Sequence, residues 1–166
     1  MENPVVGVVM GSDSDFETMK ACTAMLDFFG ISHEVRIISA HRTPDTAHEY
    51  SAVARKRGLK VIIAAAGMSA ALGGVLAAGT TLPVIGIPMS AGPLAGVDAA
   101  LSTMQMPPGI PVACMAIGSA GAQNAAIFAA EILGVTDTAI AEKLQAFKKE
   151  MAEKCAAKDA KLRQEL

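Results

Sequence analysis

The chain has 166 residues, of which 52% are hydrophobic and 18% charged, and its formal net charge is −2. This length fits a single α/β domain, residues 1–166, with a core at about 4–135, and the small acidic charge argues against nucleic-acid binding. The three cysteines are widely spaced and form no Cys-x-x-Cys pair, so the sequence indicates neither a disulfide nor a metal site.

Charge is distributed unevenly along the chain. Between Val61 and Ala130 the only formally charged residue is Asp98. Glycine and proline interrupt this segment too often for apolar helices of about 20 residues, which argues against a membrane span. The first four residues lead directly into an apolar strand and lack the features of a signal peptide. We therefore expect a cytoplasmic protein that buries part of its apolar surface between subunits.

The apolar residues predict an alternation of strands and helices. The first continuous apolar run, residues 5–10, is typical of a strand buried on both faces of a parallel sheet. Further strands are predicted at about 33–38, 61–66, 84–87 and 112–117, and helices at about 16–29, 44–57, 70–78, 97–104, 122–133 and 138–166. Five β/α steps predict a three-layer, flavodoxin-like sandwich: a doubly wound five-stranded parallel sheet with a C-terminal extension helix.

Functional side chains are expected where these strands end. In a doubly wound sheet the ligand lies beyond the carboxyl ends of the strands, at the point where the strand order reverses. This rule places the segments 11–15, 39–44 and 66–74, which follow the first three strands, around one crevice.

The turn at 39–44, after the second strand, has the sequence Ser-Ala-His-Arg-Thr-Pro. Pro44 at a first helical position and Thr43 as a capping residue predict a rigid turn and a helix end that attracts anions. His41 offers a proton carrier at neutral pH beside the fixed charge of Arg42. A capped surface turn with a solvated His and Arg explains the same residues equally well.

The segment 11–15, Gly-Ser-Asp-Ser-Asp, lacks the Lys of a P-loop and the glycine spacing of a dinucleotide fingerprint. Neither triphosphate nor NAD binding is therefore indicated. The segment offers hydroxyls and backbone N–H groups at a helix start, and the carboxylates of Asp13 and Asp15 suit a ribose diol. Helix capping is an equally good interpretation of the two acids. Ser14 and Glu17 fit a capping box at the start of the first helix.

The segment 66–74, after the third strand, has small residues and only one polar side chain, that of Ser69. Such a loop lets a planar ligand approach the main chain closely, although close packing of a helix on the sheet explains its later glycines equally well. A receiver-type signalling domain also has acids after its first strand, but it needs an Asp after the third. The sequence Ala65-Ala66-Gly67 disfavours that alternative.

Five motifs, in this order, resemble the 5-(carboxyamino)imidazole ribonucleotide mutase family of purine biosynthesis. They are Gly11-Ser-Asp-Ser-Asp15, Ser39-Ala-His-Arg-Thr-Pro44, Leu82-Pro-Val-Ile-Gly-Ile-Pro88, Gln105-Met-Pro-Pro-Gly-Ile-Pro-Val112 and Asn124-Ala-Ala-Ile-Phe-Ala-Ala130. The resemblance spans residues 5–133 and implies a mutase that moves a carboxylate from an exocyclic nitrogen to a ring carbon of its substrate. That reaction needs no redox cofactor, metal or ATP, but it needs a proton carrier and an apolar, water-poor wall beside a trapped CO2.

The resemblance also implies roles for individual residues. His41 is expected to transfer the proton, and Ser12, Asp15 and Arg42 to contact the substrate. The other expected substrate-binding residues are Asp13, Ser14, Ser39, Ala40, Ala66, Gly67, Ser69, Ala71 and Leu72.

The chain departs from the family pattern in the loop after the third strand. Many members have a His there, within Gly-Gly-Ala-Ala-His-Leu-Pro-Gly, where this chain has Ala71 and Gly73. We therefore expect this loop to contribute only its backbone and its shape to the substrate site.

A branch of the same family carboxylates aminoimidazole ribonucleotide directly with CO2. Its members typically have a sequence resembling His-Lys where this chain has His41-Arg42-Thr-Pro. Arg42 therefore favours the mutase. Direct carboxylation remains the alternative function, and a non-enzymatic nucleotide-binding module is a more distant one.

Assembly is the last expectation from the sequence. The segment 61–130 carries one formal charge, which is too few for the surface of a 17.0 kDa monomer. The family resemblance implies a homo-octamer, in which the C-terminal helix at about 138–166 reaches across a neighbouring subunit.

Overall fold

The computed structural model describes residues 3–165, and within them five parallel strands form one sheet. The strands are β1 (Val6–Met10), β2 (His33–Ile37), β3 (Val61–Gly67), β4 (Val84–Met89) and β5 (Ala113–Cys114). The helices are α1 (Phe16–Phe29), α2 (Pro44–Ala54), α3 (Leu72–Gly79), α4 (Val97–Met104), α5 (Ser119–Gly134) and α6 (Thr138–Glu165), and a 3-10 turn spans Asp13–Asp15.

The strand order is β2-β1-β3-β4-β5, and every neighbouring pair is parallel. The order reverses between β1 and β3, as in flavodoxin-like doubly wound sheets. The prediction of a five-stranded parallel α/β sandwich with a C-terminal helix is confirmed.

Alternate residues of the central strands are buried in opposite layers. Val8 and Ile63 pack with α1 and α5, whereas Val9 and Ile62 pack with α2 and α3. This follows because successive side chains of a strand point to opposite faces of the sheet. Both faces are covered, which explains why these strands are continuous apolar runs rather than alternating ones.

Tyr50 ties α2 to the edge of the sheet. Its side chain is buried, and its hydroxyl donates a 2.8 Å hydrogen bond to Glu34, which also accepts one from Arg57. The hydroxyl occupies the space that a Cβ would need at Gly7 of β1. The contact matters because β2, which carries Glu34, is an edge strand paired on one side only, with β1.

Strand β5 is shorter than the predicted residues 112–117. Past Cys114 the chain stays beside β4, where the Gly118 N–H donates to the Pro88 carbonyl. Pro88 has no N–H with which to continue a ladder. The regular pairing therefore ends after two residues.

Three helix bounds differ from the prediction by two residues or more. Helix α2 ends at Ala54 rather than 57, and turns lead from there to Gly58 at φ 95°. Helix α3 begins at Leu72 rather than 70, because the N–H groups of Ala70 and Ala71 donate to the carbonyls of Met68 and Ser69 in tight turns. Helix α5 begins at Ser119 rather than 122, directly after Gly118 at φ 74°.

Helix α6 packs on the domain through its first part only. The Asp137 carboxylate accepts hydrogen bonds from two N–H groups of its first turn. The ring of Phe147 meets those of Phe28 and Phe29 edge to face, and Lys143 Nζ donates to the Phe29 carbonyl. Residues 148–165 are exposed. The predicted helix at 138–166 is present from Thr138 to Glu165, and Leu166 lies outside the described residues.

Candidate active site

A cavity of about 490 Å³ lies beyond the carboxyl ends of β1, β2 and β3. This is the point where the strand order reverses, and the volume is in the range of small-molecule sites. The residues around the cavity come from the end of β3, the first residue of α3 and the loops after the first four strands: Gly11, Ser12, Ser14, Asp15, Ser39, Ala40, His41, Arg42, Ala66, Gly67, Met68, Ser69, Ala71, Leu72 and Ala91. The structure thus brings together every expected site residue except Asp13.

The first loop is ordered by its own hydroxyls and carboxylate. The Ser12 hydroxyl accepts hydrogen bonds from the N–H and the hydroxyl of Ser14, at 3.3 and 2.9 Å. The Asp13 carboxylate accepts from the Ser14 N–H at 3.1 Å and from the Ser12 hydroxyl at 3.2 Å. Asp13 is exposed, and its carboxylate serves the hydrogen bonding of this turn, whose cap is Ser12.

The predicted capping box of Ser14 and Glu17 is wrong. The N–H of Ser14 is bound by Ser12, and a 3-10 turn precedes α1. Glu17 instead forms an ion pair with Lys20 on the same helix. The three closely spaced polar residues before Phe16 satisfy one another, so the cap lies two residues earlier than the box pattern suggests.

Asp15 is the half-buried carboxylate of this loop. Burial raises the pKa of Asp15 above its ordinary value, and the charge of the adjacent Asp13 adds to the effect, while a backbone hydrogen bond with Ser12 works against it. A carboxylate that is partly withdrawn from water is stabilised by a hydroxyl that donates a hydrogen bond to it. Asp15 is thereby suited to bind a diol.

The second loop, 39–43, is closed by reciprocal hydrogen bonds. The Thr43 hydroxyl donates to the Ser39 carbonyl and accepts from the Ser39 N–H, both at 3.0 Å. The Ser39 hydroxyl accepts from the Arg42 N–H at 3.2 Å. The turn is tightly hydrogen-bonded, as expected, but the prediction that Thr43 caps α2 is wrong, because its hydroxyl is engaged with Ser39.

Arg42 joins the second loop to the first. Its Nη2 donates to the Gly11 carbonyl at 2.7 Å, and its Nε donates to the Ser39 hydroxyl at 3.4 Å. A guanidinium has five N–H donors, so these two bonds leave others for a ligand. His41 precedes Arg42 in the turn and lies with it at the cavity. The site therefore presents an imidazole and an oriented cation side by side.

The third loop supplies an apolar wall. Ala66, Ala71 and Leu72 line the cavity without any polar side-chain atom, and Ser69 adds one hydroxyl. Gly67 lies so close to the loop after β4 that an added Cβ would be 2.8 Å from the Cβ of Ala91. The loops after β3 and β4 therefore touch at one side of the cavity.

Gly11, Met68 and Ala91 also line the cavity, although none of them was predicted as a site residue. Gly11 and Met68 lie in the segments 11–15 and 66–74, which were predicted to surround the crevice. Ala91 lies after a fourth strand that was not expected to contribute. The strand order itself is the signal for Ala91, because β4 lies next to β3.

Within residues 3–165 no cluster of His, Cys, Asp or Glu side chains is close enough to hold a metal ion. In the same part of the chain, no helix has both the length and the apolar character needed to cross a bilayer.

The fold and the cavity define a parallel α/β protein with a cavity of small-molecule size at the switch point of its sheet, lined in part by Arg42. Residues 5–154 match the family model described as AIR carboxylase. The chain belongs to this family.

Individual relatives resemble the chain over most of its length. It is 52% identical to the N5-carboxyaminoimidazole ribonucleotide mutase of Vibrio parahaemolyticus over 148 residues, which cover 89% of this chain and 92% of the relative. It is 53% identical to the mutase of the same name from Bacillus subtilis, covering 85% and 87% of the two chains. The crystal structure of Treponema denticola PurE superposes with a TM-score of 0.83 at 33% identity, covering 96% and 98% of the two chains.

Proposed function

We propose that the protein is a mutase of purine biosynthesis that converts N5-carboxyaminoimidazole ribonucleotide, also written 5-(carboxyamino)imidazole ribonucleotide, to 5-amino-4-imidazolecarboxylate ribonucleotide. One observation carries the proposal: His41 and Arg42 lie together at a cavity with an apolar wall, in a chain about half identical to curated mutases. The reaction is an isomerisation, because the carboxylate leaves one atom of the substrate and joins another.

Binding is assigned to the first two loops. Arg42 has N–H donors beyond those used on Gly11 and Ser39, and its orientation is fixed by both, which suits a phosphate. The hydroxyls of Ser12 and Ser14 lie at the same cavity and add neutral donors. The Asp15 carboxylate is the acceptor suited to the ribose diol.

Proton transfer is assigned to His41. As the bond from the exocyclic nitrogen to the carboxylate breaks and CO2 forms, a protonated imidazole gives its proton to that nitrogen. The ring carbon then bonds to CO2, and the neutral imidazole takes the proton that this carbon releases. One proton leaves His41 and one returns, so the cycle closes without net change.

The apolar wall has a separate task. CO2 is neutral, so a charged group does not hold it, and water next to it favours its escape. Ala66, Ala71 and Leu72 surround that part of the cavity with methyl and methylene groups. This wall excludes water while the ring carbon and CO2 are adjacent.

We also propose that the working form is a cytoplasmic homo-octamer. Four exposed apolar residues recur at helical spacing on α4 and just before its start: Leu94, Val97, Leu101 and Met104. A contiguous apolar row of this kind is typical of a surface that another subunit covers. The family resemblance gives the number of subunits.

Turnover of two substrates tests the proposed function. Purified protein is mixed with N5-carboxyaminoimidazole ribonucleotide, or with aminoimidazole ribonucleotide in the presence and absence of bicarbonate, and the carboxylated product is measured against a reaction without protein. We expect turnover of the first substrate at a rate that does not depend on added bicarbonate. Turnover of aminoimidazole ribonucleotide plus CO2 alone would identify the direct carboxylase instead, and binding without turnover would identify a nucleotide-binding module.

A further inference from the structure

Met68 has an unusual conformation at the edge of the cavity. It is one of two non-glycine residues with positive φ in the part of the chain that the structure describes, the other being Ala95. Its φ of 56° is costly for a residue with a side chain. Such strain persists where the surrounding structure imposes it, and it is concentrated at functional sites.

The side chain of Met68 extends from the loop after β3 to the loop after β4. Its Cγ, Cε and Sδ lie 3.5, 3.8 and 3.9 Å from the position that a Cβ would take on Gly92. The whole thioether arm therefore runs along the backbone of Gly92, which has no side chain to push it away. Ala95, the second strained residue, lies in that same loop after β4.

Met68 is at once a cavity residue and a surface residue. It lines the cavity together with Ala91, yet 56% of its surface is exposed. A side chain with one face on a cavity and the other on solvent lies at the mouth. The neighbouring Ala66, Ala71 and Leu72 form the apolar wall assigned to CO2 above.

We propose that Met68 is a retention residue, an apolar cover that slows the escape of CO2 between its release from nitrogen and its addition to carbon. The inference rests on the proposed mutase function. A thioether arm suits the task because it is uncharged, flexible and polarisable. It fills the gap between two loops without donating a hydrogen bond that would anchor water there.

The chemistry gives retention a measurable signature. Breaking the nitrogen–carboxylate bond yields aminoimidazole ribonucleotide and one CO2, and the forward step consumes the same pair. If CO2 escapes first, the carboxylate of the product comes from dissolved CO2 instead. Substrate labelled with ¹³C in the migrating carboxylate, in buffer with unlabelled bicarbonate, therefore reports escape as lost label.

The main variant is Met68→Ala, which keeps the Cβ and removes the thioether arm. The control is Val53→Ala, which truncates an exposed apolar side chain of α2, 37% exposed, that lines neither the cavity nor the proposed subunit contact. We expect wild type and Val53→Ala to retain the label. Met68→Ala is expected to raise the escaped fraction by about tenfold, which corresponds to a change of about 1.4 kcal/mol between the two competing barriers. Met68→Leu, which restores apolar bulk, is expected to retain most of the label.

Retention of label by Met68→Ala at the wild-type level would overturn the inference, and so would an equal loss in Val53→Ala. A second variant, Met68→Gly, removes the arm and also the strain at φ 56°. We expect it to lose label while its Tm does not fall, which separates escape from unfolding. Failure of the wild-type enzyme to convert the labelled substrate would instead refute the mutase function itself.

Discussion

His41 carries the chemistry in the proposed cycle, and one substitution isolates it. Asn keeps the polarity and approximate size of the ring but has no proton to exchange near neutral pH. We expect His41→Asn to lower kcat by at least about 100-fold, the usual scale of general acid–base catalysis, with ligand affinity changed only a few-fold. Turnover and a calorimetric titration with product measure the two effects.

His48→Asn is the control for that experiment. His48 is an exposed residue of α2 and does not line the cavity, so we expect wild-type turnover from it. A His41→Asn enzyme with more than a small fraction of wild-type kcat would show that another group moves the proton.

At single positions, residue type was easier to predict from the sequence than hydrogen-bond partners were. His41, Arg42 and Asp15 were placed at one crevice because parallel strands end at one edge. Thr43 and Glu17 were assigned wrong partners, since several short polar side chains compete for the same N–H groups. The backbone conformation of Met68 was not predicted, because methionine is not a residue type that indicates a positive φ.

Strand β2, an edge strand that is held to α2 by Glu34, positions the turn that carries His41. Burial alone would raise the pKa of Glu34, but hydrogen bonds from Arg57 and Tyr50, together with nearby positive charge, lower it below its ordinary value. A carboxylate with a lowered pKa in the folded state stabilises the fold above its unfolded pKa. That contribution is lost as the pH falls through the lowered value.

Glu34→Gln tests this contribution. We expect the variant to lose about 1.5 kcal/mol at pH 7, the low end of the scale of hydrogen bonds to a charged group, seen as a lower Tm. The difference from wild type should shrink as the pH falls below the ordinary range of a glutamate and through the lowered pKa of Glu34. Glu49→Gln, which changes an exposed carboxylate of α2, is the control. A pH-independent Tm difference for Glu34→Gln would indicate a packing effect rather than a charge effect.

Elements were predicted well where apolar runs or periodicity were long, as in β1, β3, α1 and α6. The ends of shorter elements were predicted poorly. β5 lost most of its predicted length to a proline on the neighbouring strand, and α3 lost its first two predicted residues to tight turns between Met68 and Ala71. Such ends depend on contacts between segments, which a local pattern does not contain.

At the scale of the whole molecule, α6 extends well beyond the domain. Its last eighteen described residues, 148–165, are exposed, and at 1.5 Å per residue they span about 27 Å. Ion pairs between residues four apart, such as Lys154 with Glu150, help to keep this part helical. Lys148 still pairs with Glu131 of α5 at 2.9 Å, but the exposed residues after it have the reach to lie across a second subunit.

Ending the chain after Asp137 tests the role of α6. We expect the truncated protein to form smaller assemblies at low micromolar concentration and to lose activity in proportion, measured by light scattering and turnover on the same samples. Ending the chain after Lys148 keeps Phe147 and the packed first part of the helix but removes the exposed part. An equal loss of assembly in this shorter truncation would assign the effect to the exposed part, and wild-type assembly would assign it to the packed part. A fully active monomer from the intact chain would refute the proposed assembly.

The contact between Tyr50 and Gly7 links two positions that are far apart in sequence. Any side chain at position 7 would displace the ring and with it the hydroxyl that holds Glu34 on β2. The turn that carries His41 follows directly from that strand. In sequences that descend from this one, we therefore expect a larger residue at position 7 only together with a smaller residue at position 50. The combined volume of the two side chains should stay nearly constant.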